Sequence, residues 1–558
     1  PIYMTSISGN TTGLKPAQQR ALERLAERRI AQGDIIDRET ARQLAALSFA
    51  LNRQLGLLIH RSGQIACLMV GDFGRITFPA LAGLGSGKRL RGLRCVRTTL
   101  GQTGITDEDV MDLACLRLDL FSVLSLRDGL PDRLFTAHLI PQNRAGRDWA
   151  ELPPVHPANQ SGSCLALIEA LEDEFARTTP LAAVDAGKDR AILVSVSTAP
   201  RQEAEASLNE LAELARSAGV VVLDRVLQRR RQLHPRFLMG QGKLLEIMLA
   251  SVRLAANLLI FDQELTPSQM RSITDHSDLR VIDRTQLILD IFARRARSRE
   301  GKLQIEMAQL KYMLPRLGTR DDALSRLTGG IGARGPGETR LEIDKRRIND
   351  RIARLARELK NVGQERYRRR SRRRKRDVPV ISLVGYTNAG KSTLLNTLTH
   401  SDILAEDLLF ATLDPSSRRL RFPEDMEVII TDTVGFIRNL PAELLKAFAS
   451  TLEELREADL ILHVIDRANP EWRQQAEVVA DLLTRLELDS IPSIRVLNKM
   501  DLLGEAEKEK ALQEGALHGD IGISAMDSAS LRPLLGRAEK LLRSQSDRQF
   551  FASAQVLK

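Results

Sequence analysis

The stretch Val384-Gly385-Tyr386-Thr387-Asn388-Ala389-Gly390-Lys391-Ser392-Thr393 decides how this chain is read. An apolar, β-branched run precedes it (Val378, Val380, Ile381, Leu383), and apolar residues at helical spacing follow (Leu394, Leu395, Leu398). The pattern predicts a strand, a glycine-rich turn and a helix. Gly385 and Gly390 let the backbone curl around an anion, with its N–H groups lining the concavity. The positive end of the following helix adds to the attraction. In such a cradle Lys391 reaches the β- and γ-phosphates of a nucleotide, and the Ser392 hydroxyl ligates Mg²⁺.

Three further stretches select the nucleotide. Asp432-Thr433-Val434-Gly435 ends a second apolar run (Val428, Ile429, Ile430), the usual place for a carboxylate that holds Mg²⁺ through water. The Gly435 N–H then lies near the γ-phosphate. Asn498-Lys499-Met500-Asp501 follows a third run (Ile494, Val496, Leu497). The Asp501 carboxylate accepts from both N1–H and the exocyclic amine of guanine, whereas adenine presents a ring acceptor and leaves the carboxylate unpaired. Ser524-Ala525-Met526 supplies a short loop to back the base. Together these residues describe a guanine-nucleotide-binding domain for GTP or GDP with Mg²⁺.

Composition narrows the rest. The chain has 558 residues, 43% of them apolar, enough for about three or four domains. It has no run of eighteen apolar residues, so no stable membrane insertion is expected. The start at Pro1-Ile2-Tyr3-Met4 has neither a charged n-region nor an apolar h-region. Cys67, Cys95, Cys115 and Cys164 are scattered without C-x-x-C spacing, which fits reduced core thiols in a cytoplasmic protein. A net charge of +10 favours a polyanionic partner. A monomer is expected.

In chain order, residues 1–185 read as an α+β extension. Helices are expected over 16–32 and 38–55, a hairpin turns at Ser62-Gly63, a strand covers 93–100, and a helix capped by Thr106 spans 107–118. Arg97-Thr98-Thr99 with Thr106-x-x-Asp109 has the outline of a metal-binding H-x-H…S-x-x-D pattern, but both histidines are absent, so zinc is not expected. The Pro-, Ser-, Asn- and Gly-rich stretch 153–162 reads as a linker. Residues 186–284 alternate strand and helix as a small parallel α/β domain. Gly240-Gln241-Gly242-Lys243 within it is better read as a loop against the sheet than as a second nucleotide site.

Residues 285–376 read as a helical hairpin arm, with helices over 286–313 and 338–367. Between them Gly329-Gly330-Ile331-Gly332-Ala333-Arg334-Gly335-Pro336-Gly337 has five glycines in nine residues and forms a flexible tip carrying Arg334. The arm returns through Arg366-Tyr367-Arg368-Arg369-Arg370-Ser371-Arg372-Arg373-Arg374-Lys375-Arg376, nine basic residues in eleven, read as a basic linker. This density suits phosphate-backbone binding. With only Tyr367 interleaved, charge and shape reading of a folded RNA is expected rather than base stacking. The nucleotide domain follows as 377–530, then a helix and tail as 531–558.

With these residues in hand, the chain resembles the HflX family of ribosome-associated GTPases over about 190–526. The specific stretches are Ile282-Asp283-Arg284-Thr285-Gln286-Leu287-Ile288-Leu289-Asp290-Ile291-Phe292-Ala293, the glycine-rich tip, Phe410-Ala411-Thr412-Leu413-Asp414-Pro415 and Asp432-Thr433-Val434-Gly435-Phe436-Ile437-Arg438. The resemblance implies an α/β fold in which a two-lobed N-terminal HflX domain joins a Ras-like P-loop GTPase domain. It also implies binding of the large ribosomal subunit and its RNA, with the glycine-rich tip reaching toward the peptidyl-transferase region, and splitting or rescue of stalled ribosomes. It places Thr412 as the first-switch residue that closes on Mg²⁺ and the γ-phosphate, and Phe410 beside the nucleotide. Lys391, Thr412 and Gly435 are then the catalytic set. Phe436 stands where many small GTPases carry the glutamine that orients the attacking water, so intrinsic hydrolysis is expected to be slow and ribosome-stimulated. The competing expectations are an RNA-remodelling ATPase or GTPase, and a non-ribosomal signalling GTPase.

Overall fold

The computed structural model describes residues 6–74, 76–79, 81, 90–101, 104–141, 148–160, 163–178, 188–275, 279–317, 340–374, 378–399, 409–410, 416–422, 426–433, 435–438 and 455–556. They form two compact units. One is built on Pro1–Ala212 and Gly219–Asp283, the other on Arg284–Gly318 and Pro336–Lys558 with Glu213–Ala218.

The first unit opens with a seven-stranded sheet: β1 (Ser6–Gly9), β2 (Leu55–His60), β3 (Ile65–Val70), β4 (Leu93–Thr99), β5 (Leu120–Arg127), β6 (Leu130–Leu139) and β7 (Trp149–Val155), ordered β1-β3-β2-β4-β5-β6-β7. Helices α1 (Pro16–Ala26), α2 (Arg38–Leu51), α3 (Asp107–Cys115) and α4 (Cys164–Thr178) accompany it. Successive side chains on a strand point to opposite faces. Leu57, Ile59, Leu68 and Val70 therefore join one core with Leu22 and Leu44, while Leu58, Cys67 and Met69 join another with Leu113 and Phe121. Burial on both faces removes the alternation that marks a strand, which is why β5 and β6 escape a sequence reading. The stretch expected as a linker begins inside β7. Pro153 and Pro154 lie in this last strand of the sheet order, at the register break between the pairs Leu152–Thr136 and Val155–Leu134, where missing N–H groups cost no ladder bond. All four cysteines are buried thiols outside any disulfide.

Arg97 and Asp109 form a buried two-pronged ion pair, with Nε to Oδ1 at 2.6 Å and Nη2 to Oδ2 at 2.7 Å. Asp109 also completes the capping box of α3 with Thr106. A guanidinium thus sits where the metal-binding pattern carries histidine.

A four-stranded, all-parallel sheet follows: β8 (Arg190–Ser197), β9 (Val221–Arg229), β10 (Leu258–Phe261) and β11 (Arg280–Asp283), ordered β11-β10-β8-β9. Its helices are α5 (Arg201–Ser217), α6 (Gln241–Arg253) and α7 (Pro267–Asp275). Ile192, Val194, Ile247 and Met248 belong to the same core as Phe121 and Leu113. Arg117 of the first sheet's layer donates to Ala256 O at 2.7 Å and Ser251 Oγ at 3.3 Å. The boundary read near residue 185 therefore separates two sheets that share one core.

The second unit begins with α8 (Arg284–Arg295) and α9 (Arg299–Met313). The single helix expected over 286–313 is interrupted because Ser298 caps α9, its Oγ accepting from Gly301 N at 3.0 Å. Helix α10 (Arg340–Arg374) packs on α9, and Arg351 grips Glu306 at 2.7 and 3.0 Å. The basic run is helical as far as Arg374 rather than a linker. Arginine is a strong helix former, and cations near a helix C-terminus complement its dipole. The glycine-rich tip with Arg334, and Lys375 and Arg376, lie outside the described residues.

The remaining sheet has β12 (Val380–Gly385), β13 (Ser416–Arg421), β14 (Glu427–Asp432), β15 (Leu460–Asp466), β16 (Ser493–Asn498) and β17 (Ile521–Gly522), ordered β13-β14-β12-β15-β16-β17. Only the β13–β14 pair is antiparallel. Helices α11 (Lys391–Thr399), α12 (Trp472–Arg485), α13 (Glu505–His518) and α14 (Arg532–Val556) accompany it. Leu534, Ala538 and Leu542 of α14 share a core with Ile381, Leu395 and Val464. The last helix is thus a layer of this domain, not a segment appended after residue 530. Among the described residues, no helix is long and apolar enough to cross a membrane.

Arg97→Ala leaves Asp109 buried without its cation and should cost about 3–5 kcal/mol, read as a lowered denaturant midpoint. Replacing both partners with apolar residues (Arg97→Met, Asp109→Leu) should recover most of that loss.

Candidate nucleotide site

The stretch 384–393 runs from the end of β12 through a loop, 386–390, into the first turn of α11, and its glycines are fixed by what lies against them. A Cβ on Gly385 would sit 2.2 Å from Val464 O, and one on Gly390, where φ is +90°, 2.2 Å from Asn498 Nδ2. A Cβ on Gly435 would meet Thr387 Cγ2 at 2.8 Å and Lys391 Nζ at 3.1 Å. The loop is zipped to the segment after β14: Thr387 N donates to Phe436 O at 2.8 Å, and Phe436 N to Gly385 O at 3.1 Å. The Phe436 ring is buried.

Lys391 is buried, donating from Nζ to Gly385 O at 3.0 Å and Tyr386 O at 2.8 Å. Desolvation lowers its pKa to about 8, against the opposing pull of Asp432. His463, on the neighbouring strand β15, is lowered to about 4 by burial and then by the charges of Arg495 and Lys391, so it is neutral at physiological pH. The surroundings of the loop are thus cationic and poorly hydrated, a setting that phosphate oxygens relieve.

Ser392 Oγ donates to Asp432 Oδ2 at 2.7 Å, and Thr433 Oγ1 anchors the same segment to Leu383 O at 2.6 Å. A hydroxyl beside a carboxylate is the hard-oxygen donor set that suits Mg²⁺ held partly by phosphate and water. No three His, Cys, Asp or Glu side chains converge on a metal position among the described residues.

Asn498 joins the phosphate loop to the base-side loop. Its Nδ2 donates to Ala389 O at 2.8 Å, and its Oδ1 accepts from Ala525 N at 2.9 Å. Lys499 turns the chain with φ +61° and pairs with Asp466 at 2.8 Å. That turn leads to Asp501, exposed on a short 3₁₀ turn (Met500–Leu502). Ser524 is held by Ser530, whose Oγ accepts from Ser524 N at 3.0 Å and donates to Ser524 O at 2.9 Å. Met526 is exposed.

The structure therefore brings together Gly385, Tyr386, Thr387, Ala389, Gly390, Lys391, Ser392, Asp432, Gly435, Asn498 and Ala525, with Asn388, Thr393, Lys499, Asp501, Ser524 and Met526 on the same loops. Phe410 packs edge-on against Phe292 of α8, with ring centroids 4.6 Å apart. Thr412 lies outside the described residues. Sequence reasoning missed Thr397, whose Oγ1 donates to Ala525 O at 2.6 Å, and nothing in the sequence separates it from an ordinary helix threonine. It also missed Asp466. Its place at the carboxyl end of an apolar strand, like that of Asp432, was a usable signal.

Loops at the carboxyl ends of β12, β14 and β16, carrying the glycine-rich turn, Asp432 and the Asn498–Asp501 turn, are those of a P-loop GTP hydrolase. Family models match three consecutive segments: a GTP-binding GTPase N-terminal region over 205–293, a GTP-binding GTPase middle region over 295–373 and a 50S ribosome-binding GTPase over 380–499. GTPase HflX of Caldanaerobacter subterraneus subsp. tengcongensis is 47% identical over 360 residues, 64% of this chain and 82% of that protein. GTPase HflX of Escherichia coli K12 is 43% identical over 350 residues, 63% and 82% respectively. The chain belongs to the HflX family of GTPases. Among solved structures, a GTP-binding protein of Sulfolobus solfataricus in complex with GDP is similar at 24% identity and TM-score 0.36, covering 64% of this chain and 99% of that one.

Nucleotide phosphates favour the charged form of Lys391, so affinity should fall as pH rises above about 8. Since Lys391 is half-protonated near that pH, GDP binding at pH 8 should take up about half a proton, measured by calorimetry in buffers of different ionisation enthalpy. Buffer-independent heats would contradict the buried, half-titrated lysine.

Proposed function

We propose that this chain binds the large ribosomal subunit and its RNA in the GTP state and releases it as GDP, acting in the splitting or rescue of stalled ribosomes in the cytoplasm. The observation that carries this reading is the placement of the basic run. Helix α10 ends at Arg374 and β12 begins at Val380, so five residues, 375–379, join the densest positive charge of the chain to the phosphate-binding strand. Membership of the HflX family, and the match of 380–499 to a model described as a 50S ribosome-binding GTPase, support the same partner.

In this reading Arg368, Arg369, Arg370, Arg372, Arg373, Arg374, Lys375 and Arg376 meet RNA phosphates, and Arg334 on the tip reaches the partner. Ser392 and Thr412 would hold Mg²⁺ directly and Asp432 through water, and the ion would supply positive charge against that developing on the phosphates. Lys391 and the Gly435 N–H stabilise the same charge. Phe436 has no polar group to orient water, so intrinsic turnover is slow, and the bound ribosome completes the site. The γ-phosphate orders the loops around Thr412 and Gly435, and that ordering is the switch. The protein acts as a monomer.

Pelleting with ribosomal subunits should recover the chain with the large subunit in a non-hydrolysable GTP analogue and much less in GDP or without nucleotide. Equal recovery in all three states would sink the coupling. Replacing the arginines of 368–374 with glutamine should weaken RNA association and flatten its salt dependence, because fewer counterions are released. An unchanged salt slope would reduce the run to a solvated helix end.

A further inference from the structure

Helix α8 touches two segments: Leu409–Phe410, and the segment that leaves Gly435. Leu409 and Phe410 precede Thr412 in the chain. Phe410 is buried and adopts φ +60°, a conformation a bulky residue takes only when its surroundings hold it. What holds it is Phe292, fully buried in α8, with ring centroids 4.6 Å apart and planes at 79°. Leu409 N donates to Ser217 Oγ at 3.0 Å, which fixes the preceding residue.

In the second segment Arg438 follows Gly435 by three residues. Arg284, the first residue of α8 and itself buried, donates from Nη2 to Arg438 O at 3.3 Å. Arg438 N donates to the Tyr386 hydroxyl of the phosphate loop at 2.8 Å, and its guanidinium reaches Glu471 at 3.0 Å and Gln474 at 2.8 Å. The segment leaving Gly435 is thus clamped between the phosphate loop, α12 and α8. Helix α8 also packs on α9, and α9 on α10.

We propose that Arg284 and Phe292 are positioning residues for GTP hydrolysis: from one helix Arg284 holds the segment that leaves Gly435, and Phe292 holds Phe410, two residues before Thr412 in the chain. This rests on the reading of Thr412 and Gly435 as the two γ-phosphate-sensing positions. Neither residue belongs to the phosphate cradle or the Asn498–Ala525 connection, so their removal acts on the chemical step and spares nucleotide binding. A residue that only stabilised the fold would lower both together.

The test uses the full chain without ribosomes, so a failed ribosome-binding reading leaves its outcome intact. Phe292→Leu keeps the apolar volume and removes the ring edge, and Arg284→Met keeps the stem and removes the donors. Each should slow single-turnover GTP hydrolysis about tenfold while the affinity for fluorescent GDP stays within about threefold. Phe410→Leu should match Phe292→Leu, and the double variant should be no slower than either single one, since one contact is removed twice. Arg284→Lys, which keeps a donor, should recover part of the rate. Hydrolysis within about twofold of the unaltered chain in Phe292→Leu, Phe410→Leu and Arg284→Met, or a parallel loss of rate and GDP affinity, would overturn the assignment.

Discussion

One buried carboxamide holds the nucleotide site in register. Asn498 lies between the carbonyl of Ala389 and the N–H of Ala525, and Thr397 closes the circuit from α11 to Ala525 O. Three separate pieces of chain, the phosphate loop, its helix and the base-side loop, are thereby fixed to one another. An unpaired polar group at such depth costs about 1–3 kcal/mol, so the loops are held together by the penalty for letting go as much as by the bonds. The same carboxamide accounts for Gly390. Nδ2 occupies the space a Cβ would take, so the tight turn and the bridge require each other.

The charges of the site follow a single logic. Lys391 is buried with its ammonium directed at backbone carbonyls, and desolvation weakens its hold on the proton. His463 nearby is kept neutral by burial and by the cations of Arg495 and Lys391. A loop that concentrates positive charge and excludes water is costly by itself and becomes favourable when an anion enters. The buried pair Arg97–Asp109 answers the same problem internally, with the carboxylate supplied by the chain.

The nucleotide domain was legible because its functional residues sit at strand ends, where apolar runs stop and glycine or a polar residue begins. Gly385, Lys391, Asp432 and Asn498 all announce themselves in this way. The parallel sheet of 190–283 was legible for the related reason that its strands and helices alternate with clear breaks. The seven-stranded sheet was not, since residues such as Leu120, Phe121, Val123 and Leu124 are buried on both faces and read as one apolar block. Nor could the shared core of the first two sheets be seen, because α3 and α6 meet only through tertiary packing. Phe410 shows the limit within the site itself. A motif gives a residue's position along the chain, but the partner of its ring, Phe292, lies more than a hundred residues away.

The uninterrupted helicity of α10 has a mechanical consequence. Thirty-five residues extend on the order of 50 Å at about 1.5 Å per residue. The stem ends five residues from β12, so a displacement at that end would be carried along its length. A tilt of about 5° near Arg374 would sweep Arg340 through roughly 4 Å, comparable to the rearrangements by which proteins switch state. Ångström-scale adjustments beside a phosphate would thus be magnified with distance from it, and stiffness, more than reach, becomes the property that sequence changes along this stem would alter.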